Sequence, residues 1–144
     1  MAIFSYGVTF DGIYQIIFIG DGPDTNFYKE EVKNKKLEHE IVFLGRKKNP
    51  YPYYKLCDCV VLSSDYEGYP VVYLESFILN KPIITTNVSD SEQIEGQGIV
   101  VEKDETEIYK AMKDFIEKGY QITKQFDAKD YNNNIFNKLQ EIIS

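Results

Sequence analysis

Three pieces of one stretch decide how this chain folds. They are Cys59-Val60-Val61-Leu62-Ser63-Ser64, Glu67-Gly68-Tyr69-Pro70-Val71-Val72-Tyr73-Leu74-Glu75, and Lys81-Pro82-Ile83-Ile84-Thr85-Thr86. The first is a short, continuously apolar run, the pattern of a strand buried on both faces. The second opens with a Gly-x-Pro turn. Pro70 suits the first position of a helix, where its missing N–H would be unpaired in any case. That helix is expected to run to about Leu79 and to end before Lys81-Pro82, and the third piece is another buried strand. The stretch therefore predicts a strand, loop, helix and strand in succession, with Glu67 in the loop at the first strand's carboxyl end. In open α/β sheets ligands bind outside that edge.

The same alternation continues outward. Gln15-Ile16-Ile17-Phe18-Ile19, Ile41-Val42-Phe43-Leu44-Gly45 and Gly98-Ile99-Val100-Val101 read as further strands. Gly20-Asp21-Gly22-Pro23 ends the first of these, and Asp24 or Thr25 is placed to cap a helix reaching about Leu37. Arg46 to Pro52 is expected as loop because of its two prolines, with one or two helical turns at 53–56. A short helix is predicted at 91–94. Asp104 is placed to cap a helix with Ile108, Ala111, Met112, Phe115 and Ile116 on one face, and Gly119 to end it. Tyr131, Ile135, Leu139 and Ile142 mark a last amphipathic helix. Residues 1–14, an uncertain leader, fit either a strand or a short hairpin about Asp11-Gly12. Apolar strands alternating with helices predict a doubly wound, Rossmann-like parallel sheet.

At 144 residues the chain is expected to form a single domain with its own core. A net charge of −7 argues against nucleic acid as a partner. Cys57 and Cys59 are too close for an ordinary structural disulfide, and no second pair completes a zinc site; both read as small core residues of a reducing compartment. No signal-peptide pattern or long apolar run is present, so the expected location is cytoplasmic.

Several chemistries fail on spacing. Gly20-x-Gly22 follows a strand, but the third glycine of a dinucleotide fingerprint would fall at Thr25. The paired carboxylates of glycoside hydrolases stand about 5–9.5 Å apart. Glu67 and Glu75 would be separated by about 12 Å along a helix, and by more if part is extended. That distance suits two hydrogen-bonding duties along an elongated ligand. His39, the sole histidine, lies in a polar connector, which leaves Ser63 and Ser64 without a triad partner. No Asp-x-Asp pair offers a metal site.

A combination of motifs carries a resemblance. Ile16-Ile17-Phe18-Ile19-Gly20-Asp21-Gly22-Pro23, Val42-Phe43-Leu44-Gly45, Asp58-x-Val60-Val61-Leu62-x-Ser64-x-x-Glu67-Gly68, Leu74-Glu75-Ser76 and Lys81-Pro82-Ile83-Ile84 occur in that order. Together they resemble the carboxyl-terminal, donor-binding domain of retaining GT-B glycosyltransferases of family 4, over roughly Gln15 to Gly119. The Glu-x7-Glu spacing matches that family's donor motif.

The resemblance implies a nucleotide sugar as ligand and transfer with retention to a glycan or lipid-linked acceptor, in bacterial surface polysaccharide synthesis. It implies no metal and no cofactor beyond the donor. Glu67 would bond the donor sugar as the catalytic-site carboxylate, and Glu75 the ribose hydroxyls. Gly68, Tyr69, Val71 and Val72 would face the diphosphate, the last two through their amides. Gly45, Arg46 and Lys47 would lie where the base is seated. Two features depart from the family pattern. The amino-terminal acceptor domain is missing, and so is the Arg and Lys pair that usually follows the donor domain's first strand. The 144 residues are therefore expected to be inactive alone, with an amino-terminal acceptor domain as the missing partner and the route to peripheral attachment at the inner membrane face. The rivals are a non-catalytic nucleotide-binding module serving a separate acceptor subunit, and a flavodoxin-like receiver. The second lacks a convincing acidic cluster, since Asp21 and Asp65 do not form one.

Overall fold

The computed structural model describes residues 3–10, 13–64, 71–88 and 91–143. Six strands form one sheet: β1 (Ile3–Phe10), β2 (Ile13–Ile19), β3 (Ile41–Gly45), β4 (Val60–Leu62), β5 (Ile83–Thr86) and β6 (Gly98–Val101). The helices are α1 (Thr25–Asn34), α2 (Tyr51–Leu56), α3 (Val71–Ile78), α4 (Glu105–Lys118) and α5 (Ala128–Ile143), with a 3-10 turn at Ser91–Ile94.

The strand order is β3-β2-β1-β4-β5-β6. β2 pairs parallel with β3, and β4, β5 and β6 pair parallel in sequence. β1 is the exception, running antiparallel to both of its neighbours. The expectation of a wholly parallel sheet is corrected at this strand. The cause is chain length: only two residues separate β1 from β2, and a parallel neighbour needs a crossover of a dozen or more. Because β1 opposes both β2 and β4, those two run the same way. All five remaining strands therefore end at one edge, and the Rossmann-like order of the sheet survives its reversed central member.

The core is densest beneath β4 and β5, every residue of which is buried. Side chains alternate across a strand, so Val60, Leu62 and Ile83 join Tyr54, Tyr73 and Phe77 on the face covered by α2 and α3. Val61 and Ile84 point the other way and meet Ala111, with Ile108, Met112 and Phe115 of α4 packed alongside. The two-sided apolar pattern of these strands thus has a helix layer on each face. By contrast β3 is half-buried throughout, and Phe18 and Phe43 stack across the β2–β3 pair with ring centres 4.8 Å apart. Cys57 and Cys59 are free and buried, as their composition suggested. Burial pushes the Cys57 thiol up to about 11.

Local signals fared unevenly. α2 begins at Tyr51 rather than Tyr53, since Pro52 sits within its first turn, where no N–H is needed. α1 stops three residues short of Leu37, and Asp24 takes its N-cap position without a side-chain cap bond. The proposed role of Pro70 lies outside the described residues. Asp104 caps α4 as expected, its carboxylate accepting from the N–H groups of Thr106 at 2.8 Å and Glu107 at 3.2 Å. Hydrogen bonding from Thr106, then from Glu107, holds this carboxyl below its ordinary value. The cap's contribution is therefore fully present above about pH 4, the range of a free aspartate, and is lost as pH falls through the lowered folded-state value. Asp104→Ala should lower Tm by a few degrees at neutral pH. Thermal melts of both proteins in acid should converge, and Asp104→Asn, which keeps an acceptor, should melt nearer the parent.

Candidate functional site

The edge at which β2 to β6 end collects most of the sequence-predicted residues. Gly45 closes β3 with φ +66, a left-handed conformation that favours glycine, and its carbonyl accepts from the Gly20 N–H at 3.0 Å. The ends of β2 and β3 are tied together there. Arg46, exposed, and Lys47, half-buried, follow directly. On the other side of the sheet centre, the Thr86 hydroxyl donates to the Ser64 carbonyl at 2.6 Å. This fixes the start of the segment after β4 against the end of β5. Tyr73 and Thr85 share a buried hydrogen bond of 3.0 Å, which anchors α3 to the same strand.

α3 follows β4, so its amino end lies at this edge. The amides of Val71 and Val72 belong to its first turn, where helical geometry leaves N–H groups without intrahelical partners. The positive end of the helix dipole sits in the same place. Glu75 stands one turn further on, about 6 Å along the axis from Val71. Glu67, Gly68 and Tyr69 lie outside the described residues.

Glu75 is half-buried and engaged by Tyr54 of α2. The Tyr54 hydroxyl donates to Oε2 of Glu75 at 2.6 Å. Tyr54 itself has no exposed surface. Burial first, then the hydrogen bond to Glu75, then its charge push the Tyr54 hydroxyl far above the ordinary tyrosine range. It stays a donor. Tyr51, much more exposed, lies near enough for the charge of Glu75 to be the main cause raising its hydroxyl above the ordinary tyrosine range. Sequence reading gave neither residue a role, placing Tyr51 in a loop and Tyr54 in one or two helical turns. The available signal was a pair of tyrosines at i and i+3, whose polar tips need partners once the rings are covered.

His39 lies in the connection entering β3, at the edge opposite the site. A separate cavity of about 290 Å³, lined by Leu74, Phe77, Gln97, Phe126 and Asp130 among others, flanks α3 and contains none of the predicted residues.

The family description Glycosyl transferases group 1 matches residues 11–118, more than half of the chain. The chain belongs to the group 1 glycosyl transferases. Among curated relatives, the O-antigen biosynthesis glycosyltransferase WbnH of Escherichia coli is 32% identical over 121 residues, 83% of this chain and 31% of that protein. The amylovoran biosynthesis glycosyltransferase AmsD of Erwinia amylovora is 25% identical over 122 residues, again 83% of this chain and 35% of its own length. The chain thus spans about a third of these two relatives. Among solved structures, the lipopolysaccharide outer core galactosyltransferase WaaB superposes with a TM-score of 0.68 at 21% identity, over 86% of this chain and 41% of that one. HepE of Anabaena, solved in complex with UDP, gives 0.63 at 19% identity over 96% and 47%. These likenesses establish the fold, the Rossmann-like half of a GT-B architecture, and its group 1 membership accords with the motif order read from sequence. Among the described residues, no helix is long and apolar enough to cross a membrane.

Proposed function

We propose that this chain is the sugar-nucleotide-binding domain of a retaining glycosyltransferase, one that transfers a sugar to a glycan or lipid-linked acceptor during surface polysaccharide synthesis at the cytoplasmic face of the membrane. The observation that carries the reading is Glu75, a half-buried carboxylate held at a helix's amino-terminal region on the carboxyl edge of the parallel strands, eight residues after Glu67. Its remaining acceptor capacity suits vicinal hydroxyls, and we assign it the ribose. The first-turn amides of Val71 and Val72 face the diphosphate beside Gly68 and Tyr69, where a helix amino end attracts anionic oxygen. Glu67 bonds the donor sugar and is the carboxylate at the reacting centre. Gly45, Arg46 and Lys47 seat the base, and no metal enters the scheme. The relatives' roles in O-antigen and amylovoran biosynthesis, and the nucleotide seen with HepE, support this choice of ligand class.

The test is calorimetry with uridine diphosphate, other ribonucleoside diphosphates and their sugar conjugates, on the parent and on Glu75→Ala. Hydrogen bonds to a charged group are worth about 1.5–3 kcal/mol. Glu75→Ala should therefore weaken nucleotide binding by roughly tenfold to a hundredfold. Equal affinities for the two proteins would remove Glu75 from the site.

A further inference from the structure

We propose that Tyr54 is a positioning residue for Glu75: its buried hydroxyl fixes the carboxylate in the orientation that meets the two ribose hydroxyls, and so sets discrimination between ribose and deoxyribose. The inference rests on the reading of Glu75 as the ribose partner.

Tyr54 is built as a fixed post. Its ring has no exposed surface and lies in the core cluster with Cys57, Val60, Leu62 and Tyr73. Its backbone is pinned on both sides. The Tyr54 N–H donates to the Pro50 carbonyl at 3.3 Å, and the Cys57 thiol to the Tyr54 carbonyl at 3.2 Å. A ring so enclosed cannot swing to follow its partner. Glu75, by contrast, has a side chain with three rotatable bonds and a partly open position. Left alone, it would lose rotamer freedom whenever a ligand bound. The 2.6 Å bond from Tyr54 removes that freedom in advance. Hydroxyl bonds to a carboxylate are among the shorter and stronger kind. It is also directional, so it selects one of the two carboxylate oxygens and turns the carboxylate plane.

The structure fits a role in ligand binding better than a purely structural one. Here the hydroxyl points out of the core to a carboxylate one turn from the amino end of α3. The arrangement gives Glu75 a fixed partner on its buried side. Ligand hydroxyls can meet the half-buried carboxylate from its open side while Tyr54 keeps its bond.

Tyr54→Phe removes the donor and keeps the ring, so the core stays filled and Tm should move little. Binding of uridine diphosphate, 2′-deoxyuridine diphosphate and 2′,3′-dideoxyuridine diphosphate is measured by calorimetry on the parent, Tyr54→Phe, Glu75→Ala and the double variant. The expected result is a loss of roughly tenfold for the ribonucleotide in Tyr54→Phe. The dideoxy analogue should bind Tyr54→Phe and parent alike, and Tyr54→Phe should cost nothing further once Glu75 is alanine. Equal losses for ribo- and dideoxynucleotide, or additive losses in the double variant, would overturn the positioning role while leaving Glu75 at the ribose. A parent that binds the three nucleotides equally, or none of them, would fail earlier, by removing the ribose assignment on which the role depends.

Discussion

A polypeptide of these 144 residues should bind a nucleotide sugar and transfer nothing from it. Among the described residues, the groups proposed for the donor lie at one edge of one sheet: Gly45 to Lys47 after β3, and Glu75 with the amides of Val71 and Val72 on α3. Under the proposed assignment that edge receives the donor's base, ribose and diphosphate. An acceptor hydroxyl must also be brought within bonding distance of the anomeric carbon, on the face that the diphosphate leaves. Alignment of two reactants is worth about 7–11 kcal/mol of a barrier, and a single edge supplies half of it. The leaving diphosphate adds a second demand, since its charge grows as the glycosidic bond breaks. Helix amides meet part of that charge, while Arg46 and Lys47 are assigned to the base. The measurement mixes the purified polypeptide with labelled nucleotide sugars and lipid-linked or oligosaccharide acceptors. Transfer that disappears in Glu67→Ala would show that this edge suffices, and would contradict the division between binding and turnover.

Gly98→Ala should unfold the molecule at temperatures where the parent is intact. Gly98 is in register with Ile83 across the parallel β5–β6 pair. A methyl group on Gly98 would lie 2.1 Å from the Ile83 carbonyl oxygen and 2.6 Å from its Cγ2. Both are far inside contact distance. Ile83 has nowhere to go: it is fully buried, its strand is hydrogen-bonded on both sides, and each face of that strand carries a core cluster. The cost belongs at the upper end for overpacking, about 3 kcal/mol, or a loss of roughly 10 °C in Tm. Gly98 also accepts the Tyr120 hydroxyl at its carbonyl, at 3.0 Å, so a shift of β6 would disturb the approach to α5 as well. A variant melting with the parent would mean that β5 and β6 do not pair in this register.

Gly98 also marks how far sequence reasoning reaches. Reading it as the start of a strand located β6 correctly, yet the need for glycine there comes from a strand fifteen residues earlier. Patterns within a segment were legible for the same reason that they are local. The apolar runs at 15–19, 41–45 and 83–86 became strands with little change, and the run at 59–63 became the shorter β4. Asp104 and Gly119 bounded α4 as their chemistry requires. Direction and neighbourhood were less legible. Residues 3–10 had strand composition, but nothing within them told that they would lie in the middle of the sheet and run against it. The same holds at the site. The carboxylates were found by their spacing, whereas Tyr54 meets Glu75 across 21 positions of sequence, a relation created by packing α2 against α3.

The reversed central strand has a mechanical meaning. β1 touches β4 in register through one described residue pair, Ile3 with Val61, whereas β2 meets β1 through five. β1 is the joint between two parallel groups, β3 with β2 on one side and β4-β5-β6 on the other. Gly45, Arg46 and Lys47 follow the first group, and Glu75 lies on the helix that follows β4 in the second. The spacing between the two halves of the edge is set by how β1 sits between β2 and β4.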